Sequence, residues 1–315
     1  MLVAALTLVL LQLSCASAAD FKEWLAGLRA EALAKGISEK TLDAALTGLE
    51  PIERVIQLDR NQPEFKKDYR SYMDSTVTTT RILKGRFQLL NNGTLLEDIK
   101  KHYGVQPRFL VAIWGMETNF GSYLGNYSVI ASLATLAFDE RRGKFFRAEL
   151  LNALKILDEG HISVSDMQGS WAGAMGQLQF MPSTFVNFAV DGDNDGRKDI
   201  WKNLPDVFAS AANYLSRNNW RADMTWGREV TLPSRFDQGL AGMGTEKTLS
   251  QWQALGIRLV GGAALPKADI KASLILPNGT DSPAFLVYQN YRAIYRWNRS
   301  HLYTLAVCTL ADRLQ

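Results

Sequence analysis

Glu117 is the residue best placed to do chemistry. It lies in Trp-Gly-Met-Glu-Thr-Asn-Phe-Gly (residues 114–121), at the end of an apolar run that begins at Pro107. Pro107 suits a first helical position, and Asn119 with Gly121 suits a helix stop. A carboxyl group there has two reasons to hold its proton. Apolar neighbours disfavour the charged form, and so does the negative end of the helix dipole. A carboxylic acid that stays protonated near neutral pH can serve as a general acid. A solvent-facing glutamate at a helix end would look the same in these eight residues, so both readings stand at this point.

A second segment, Gly169-Ser-Trp-Ala-Gly-Ala-Met-Gly-Gln-Leu-Gln-Phe-Met-Pro-Ser183, is rich in glycine and alanine, which lets backbone approach another group closely. Gln177 and Gln179 offer donors and acceptors without charge. With Ser170 they could bind the hydroxyl and acetamido groups of a sugar. A tight helix connection with no ligand is the alternative.

The third segment, Asp191-Gly-Asp-Asn-Asp-Gly-Arg197, matches the opening half of an EF-hand loop. Oxygens of Asp191, Asp193 and Asp195, with the Arg197 carbonyl, suit a structural Ca²⁺. The bidentate glutamate expected at position 12 is replaced by Lys202. Asp206 and Asp199 are the candidates to close the loop, and a solvated aspartate-rich turn is the alternative. No G-x-S-x-G, P-loop, dinucleotide fingerprint or Cys/His cluster occurs, so serine hydrolase and zinc hydrolase readings have no support.

Together the motifs resemble the membrane-bound lytic murein transglycosylase B family, a branch of the lysozyme-like superfamily. The resemblance rests on WGMETNFG followed by GSWAGAMGQLQFMPS, on Asp139-Glu-Arg-Arg-Gly-Lys-Phe-Phe146, on Ala211-Ala-Asn-Tyr214, and on Tyr295-Arg-Trp-Asn-Arg-Ser300. It runs from about residue 20 to the C-terminus. It implies cleavage of the β-1,4 bond between N-acetylmuramic acid and N-acetylglucosamine in peptidoglycan, with a 1,6-anhydro-muramic product and no cofactor needed for the chemistry. It further implies Glu117 as the single acid/base and Ser170 as the serine that positions its carboxyl. Gln179 would contact the glycan, Arg141 and Arg142 would line the substrate or peptide side, and Tyr214, Asn298 and Tyr303 would be cleft residues. The family's version of the aspartate loop closes at the position of Asp206. Family sequences commonly carry Tyr-Asn where this chain has Trp297-Asn298.

Those residues need elements to hold them. The chain has 315 residues, 47% apolar and 21% charged, with a net charge of +3, an ordinary globular composition with room for two or three domains. No basic stripe interleaved with aromatics points to nucleic acid. Residues 1–19 read as a secretory signal with a small-residue cleavage site near Ala18 or Ala19, and a lipid-modified Cys15 is the rival reading. Cys308, in an apolar helix, reads as a core residue. Helical periodicity marks residues 20–100 and a catalytic core over 101–224. Between 225 and 288, short alternating or β-branched runs at 228–232, 257–260, 272–276 and 284–288 mark a small β-containing subdomain. Helix returns over 291–313.

The expectation is an α+β, mainly α fold: a lysozyme-like helical core, an added helical region, and a small β insertion, with residues 289–315 packing back on the helices. The reading is an exported, periplasmic, monomeric enzyme acting on glycan strands. A hydrolytic muramidase and a non-catalytic peptidoglycan-binding protein are the rivals.

Overall fold

The computed structural model describes residues 18–61, 68–139, 141–280 and 282–315. Most of the expected signal segment, with Cys15, and Glu140 lie outside these residues. Among the described residues no helix is long and apolar enough to cross a membrane.

One apolar core runs from Phe21 to Leu314. At its centre lies the helix Val129–Phe138, buried at every position from 129 to 137. Its sequence VIASLATLAF has no charge on any face, which suits a helix enclosed all round. The helix Gly143–Asp158 packs along it. Within that helix Glu149 is only 4% exposed. Its carboxylate accepts the Ser183 N–H and hydroxyl at 2.8 and 2.7 Å. Ser183 opens the helix Pro182–Phe188, and a negative charge is favoured at that end. The first helix, Ala18–Ala34, joins the same packing, because Phe21 and Trp24 meet the Phe138 ring edge-on.

A five-stranded antiparallel sheet occupies the region of short alternating runs. Its order is Lys247–Thr248, Lys271–Ile275, Ala284–Val287, Gly227–Thr231, Arg258–Leu259. Side chains alternate between its faces. Ala272, Leu274, Ala284, Leu286 and Val230 enclose Trp252 in a second small core. Ile275, Phe285 and Val287 point the other way, into the helical core. Cover on both faces explains why Ala-Phe-Leu-Val-Tyr288 is apolar throughout.

The expected helix over 291–313 is two helices, Gln289–Trp297 and His301–Arg313. Asn298, Arg299 and Ser300 break it, and the Ser300 hydroxyl caps the second by accepting the Tyr303 N–H at 3.3 Å. That second helix lies along Pro107–Thr118. Cys308 is fully buried there.

Candidate active site

Glu117 is the penultimate residue of the helix Pro107–Thr118, whose residues 109–115 are all buried. The chain leaves the helix through three left-handed residues, Asn119, Phe120 and Gly121. Phe120 folds back onto Gly115, where a Cβ would lie 2.6 Å from its ring. Gly115 leaves room for that ring beside the turn that ends the helix at the carboxyl.

The glycine-rich segment docks against this turn through buried hydrogen bonds. The Thr118 hydroxyl donates to the Gln177 carbonyl at 2.9 Å and accepts the Gly121 N–H at 3.1 Å. Gln177 accepts the Trp114 indole N–H at 2.7 Å and donates its amide to the Trp201 carbonyl at 2.9 Å. Its amide is thus occupied within the protein, which corrects the expectation that Gln177 binds sugar. Tyr127–Ser128 then pairs with Gln168–Gly169.

A cleft of about 450 Å³ results, lined by Glu117, Arg142, Ser170, Trp171, Ala172, Ala174, Gln179, Trp297 and Asn298. Two donors converge on one Glu117 oxygen: the Tyr303 hydroxyl reaches Oε1 at 2.6 Å and the Trp297 indole N–H reaches it at 2.9 Å. Burial raises the Glu117 pKa from 4.5 to about 7, and these two hydrogen bonds hold it from going higher. The Tyr303 phenol is pushed well above its usual range, first by burial and then by the carboxyl it faces.

Several expected roles change. Tyr303, expected at the cleft, is buried, and its hydroxyl donates to the Glu117 carboxyl. Ser170 lines the cleft, but its hydroxyl oxygen accepts the N–H groups of Ala172 and Ala174 at 3.3 and 3.0 Å and makes no bond to Glu117. Tyr214 is 8% exposed and packs edge-on against Trp297. Gln179 stays at the cleft, its amide donating to the Leu124 and Gly176 carbonyls. Arg141 and Arg142 share one buried carboxylate, Asp59, and only Arg142 lines the cleft. Asp139 is a mostly buried carboxylate paired with Arg60 at 2.8 Å. Trp297 had no assigned role in the sequence reading.

In the aspartate loop, carboxylate oxygens of Asp191, Asp193 and Asp206 lie within 4.8 Å of one another. Asp206 is fully buried and accepts the Gly192 and Asp199 N–H groups. Its pKa is raised by burial and, less strongly, by the carboxylates of Asp193 and Asp191. Asp195 is outside this group, bonded instead to Arg197 through its N–H at 2.8 Å and its guanidinium at 3.3 Å. Asp199 caps the turn at Trp201 and Lys202. Three clustered carboxylates, one of them buried, fit a hard divalent cation.

The model of the transglycosylase SLT domain matches residues 20–312. The chain belongs to this family. This SLT-domain chain is 34% identical over 221 residues to membrane-bound lytic murein transglycosylase B of Escherichia coli K12, covering 67% of this chain and 57% of that protein. It therefore spans a little over half of that relative's length. SltB3 of Pseudomonas aeruginosa, in complex with NAG-anhNAM-pentapeptide, is 46% identical with a TM-score of 0.90, over 93% of this chain and 78% of that one. The Escherichia coli lytic transglycosylase Slt35 in complex with calcium is 26% identical with a TM-score of 0.79, over 93% and 92% of the two chains. The mainly helical, lysozyme-like fold expected for an SLT domain is the fold observed.

Proposed function

We propose that the chain is a lytic transglycosylase that cuts the bond between N-acetylmuramic acid and N-acetylglucosamine in peptidoglycan. Glu117 acts first as acid and then as base. One observation carries this reading: Glu117 is the only carboxyl group among the described residues that line the cleft. Glycoside hydrolases generally use two carboxylates flanking the bond, so here one group serves twice.

In the first step Glu117 protonates the bridging oxygen, and the bond from that oxygen to the muramyl C1 breaks. The cation at C1 is stabilised by the substrate's own acetamido group. The Glu117 carboxylate then takes the proton of the muramyl 6-hydroxyl, and O6 bonds to C1. The 6-hydroxyl is tethered to the reacting sugar, so its effective concentration exceeds that of water. Glu117 ends protonated, ready for another cycle. Gln179 and Asn298 supply neutral polar groups, Trp171 an aromatic face, and Arg142 a cation for a stem-peptide carboxylate. The anhydro-muramyl ligand of the 46%-identical relative supports the same product class.

Purified peptidoglycan tests this. Turbidity is expected to fall without new borohydride-reducible ends. One new reducing end per cut would replace the reading with a muramidase, and no clearing at all would favour a binding protein. The acid role also fixes the pH dependence. Activity requires protonated Glu117, so kcat/KM is expected to fall as pH rises through about 7, which initial rates between pH 5 and 9 would check.

In this reading Asp191, Asp193 and Asp206 hold a structural Ca²⁺ that takes no part in the chemistry. Saturating Ca²⁺ at about a hundred times Kd would add roughly 3 kcal/mol. A calorimetric scan is expected to show Tm higher in Ca²⁺ than in EDTA, with the difference lost in Asp191→Asn with Asp193→Asn. Equal Tm values in the wild-type protein would contradict the site. The substrate places the enzyme outside the cytoplasm, and the residue 1–19 segment supports export to the periplasm.

A further inference from the structure

We infer that Trp297 is a positioning residue that fixes the transferable proton of Glu117 on Oε2, the oxygen left open to the cleft. The inference deepens the reading of Glu117 as the acid and rests on it. The Trp297 and Tyr303 donors end on the same atom, Oε1. These are the two side-chain hydrogen bonds from described residues that act on the Glu117 carboxyl. Glu117 itself lines the cleft, and Oε2 is the oxygen those two donors leave open to it.

The two donors differ chemically. A phenol hydroxyl donates or accepts, so Tyr303 could rotate and receive a hydrogen from a protonated Oε1. An indole N–H only donates. With Trp297 in place, a proton on Oε1 would point at another N–H hydrogen, and the proton is driven to Oε2. There it can reach the glycosidic oxygen. A tyrosine at this position would make a weaker lock, because both partners could turn.

The indole is itself held. Its ring packs against Phe180 and Tyr214, with centroids 5.0 and 4.8 Å away. It closes the helix Gln289–Trp297, and the break at 298–300 brings Tyr303 of the next helix to the same oxygen. The other charged or titratable groups around the carboxyl come from separate elements. Arg142 lines the cleft. Tyr72 and Tyr214 act electrostatically on Tyr303. Arg81 reaches the Met116 sulfur, and Arg296 and Arg299 act on Tyr214. None of them bonds to Oε1.

The test compares Trp297→Phe, Trp297→Tyr and Glu117→Gln with wild type. The Glu117 carboxyl is titrated by infrared difference against Glu117→Gln, alongside steady-state kinetics on peptidoglycan and thermal melts. Trp297→Phe removes a donor that favours the carboxylate, so the Glu117 titration and the high-pH limb of kcat/KM should both move upward. Its kcat should fall about tenfold, the size expected for one hydrogen bond to a charged group, with KM within about twofold. Trp297→Tyr should restore the titration and the pH limb, because the donor returns, but recover only part of kcat, because a hydroxyl can also accept. A Trp297→Phe protein that melts lower but keeps the wild-type titration, pH limb and kcat would overturn the inference. Full activity in Glu117→Gln would instead overturn the acid assignment, so the two failures are separable.

Discussion

Glu117→Gln is expected to lower peptidoglycan turnover by about a thousandfold, within the range for loss of a general acid, and to raise the melting temperature above pH 7. The amide keeps an oxygen for the Trp297 and Tyr303 donors and loses only the transferable proton. The stability gain follows from the raised folded pKa of about 7 against 4.5. The folded state holds a proton that the unfolded chain releases. That contribution is complete below pH 4.5 and is lost as pH rises through 7, where the carboxylate ionises in a site that penalises charge. The glutamine carries no such cost. The gain above pH 7 is at most about 3 kcal/mol, since one carboxyl oxygen also faces the cleft. Near wild-type turnover would remove Glu117 from the mechanism. Unchanged Tm at pH 8 would mean that the carboxyl is not held in a charge-excluding site.

Gly125→Val is expected to cost more than about 3 kcal/mol and at least a hundredfold in turnover. Gly125 has a left-handed φ of +97°. A Cβ there would sit 2.0 Å from the Gly169 carbonyl oxygen and 2.8 Å from the Ser170 nitrogen. Both are backbone atoms, so no side chain can move aside. Either the strand pairing of 127–128 with 168–169 opens or the glycine-rich segment shifts away from Glu117. A 1 Å displacement of catalytic groups is enough for a loss of that size. Thermal melts and turbidity assays read both effects, and a variant that melts and turns over like wild type would contradict the close approach.

What could be read in the sequence was set by short-range physics. The apolar run ending at Glu117, the helix stop beside it, and the period-two strands of 225–288 are local patterns. They appeared in the structure near their expected bounds. The partners of the carboxyl are not local. Trp297 and Tyr303 lie 180 and 186 residues from Glu117 along the chain, and no periodicity connects them. Gln177 looked like a sugar ligand because neutral amides in a glycine-rich loop suit sugars. Its real partners, Trp114 and Trp201, lie 63 and 24 residues away along the chain and take up both ends of the amide. Asp139 likewise pairs with a remote residue, Arg60, 79 positions earlier. The break after Trp297 has a local signal, Ser300 before His-Leu-Tyr303 as an N-cap within the polar run Asn298–His301. The aspartate loop showed both sides. Its left-handed Gly196 follows from the motif, and Asp206, which only the family resemblance singled out, is the buried carboxylate that the fold brings back to Asp191 and Asp193.

The most direct test of the central claim is mass analysis of soluble muropeptides after complete digestion in H₂¹⁸O. With Glu117 acting as acid and then base, and the 6-hydroxyl as the nucleophile, each released muramyl end should be lighter by one water than the corresponding lysozyme product and should carry no ¹⁸O. Reducing muramic acid labelled with ¹⁸O as the main product would show that water attacks C1, and would contradict the account.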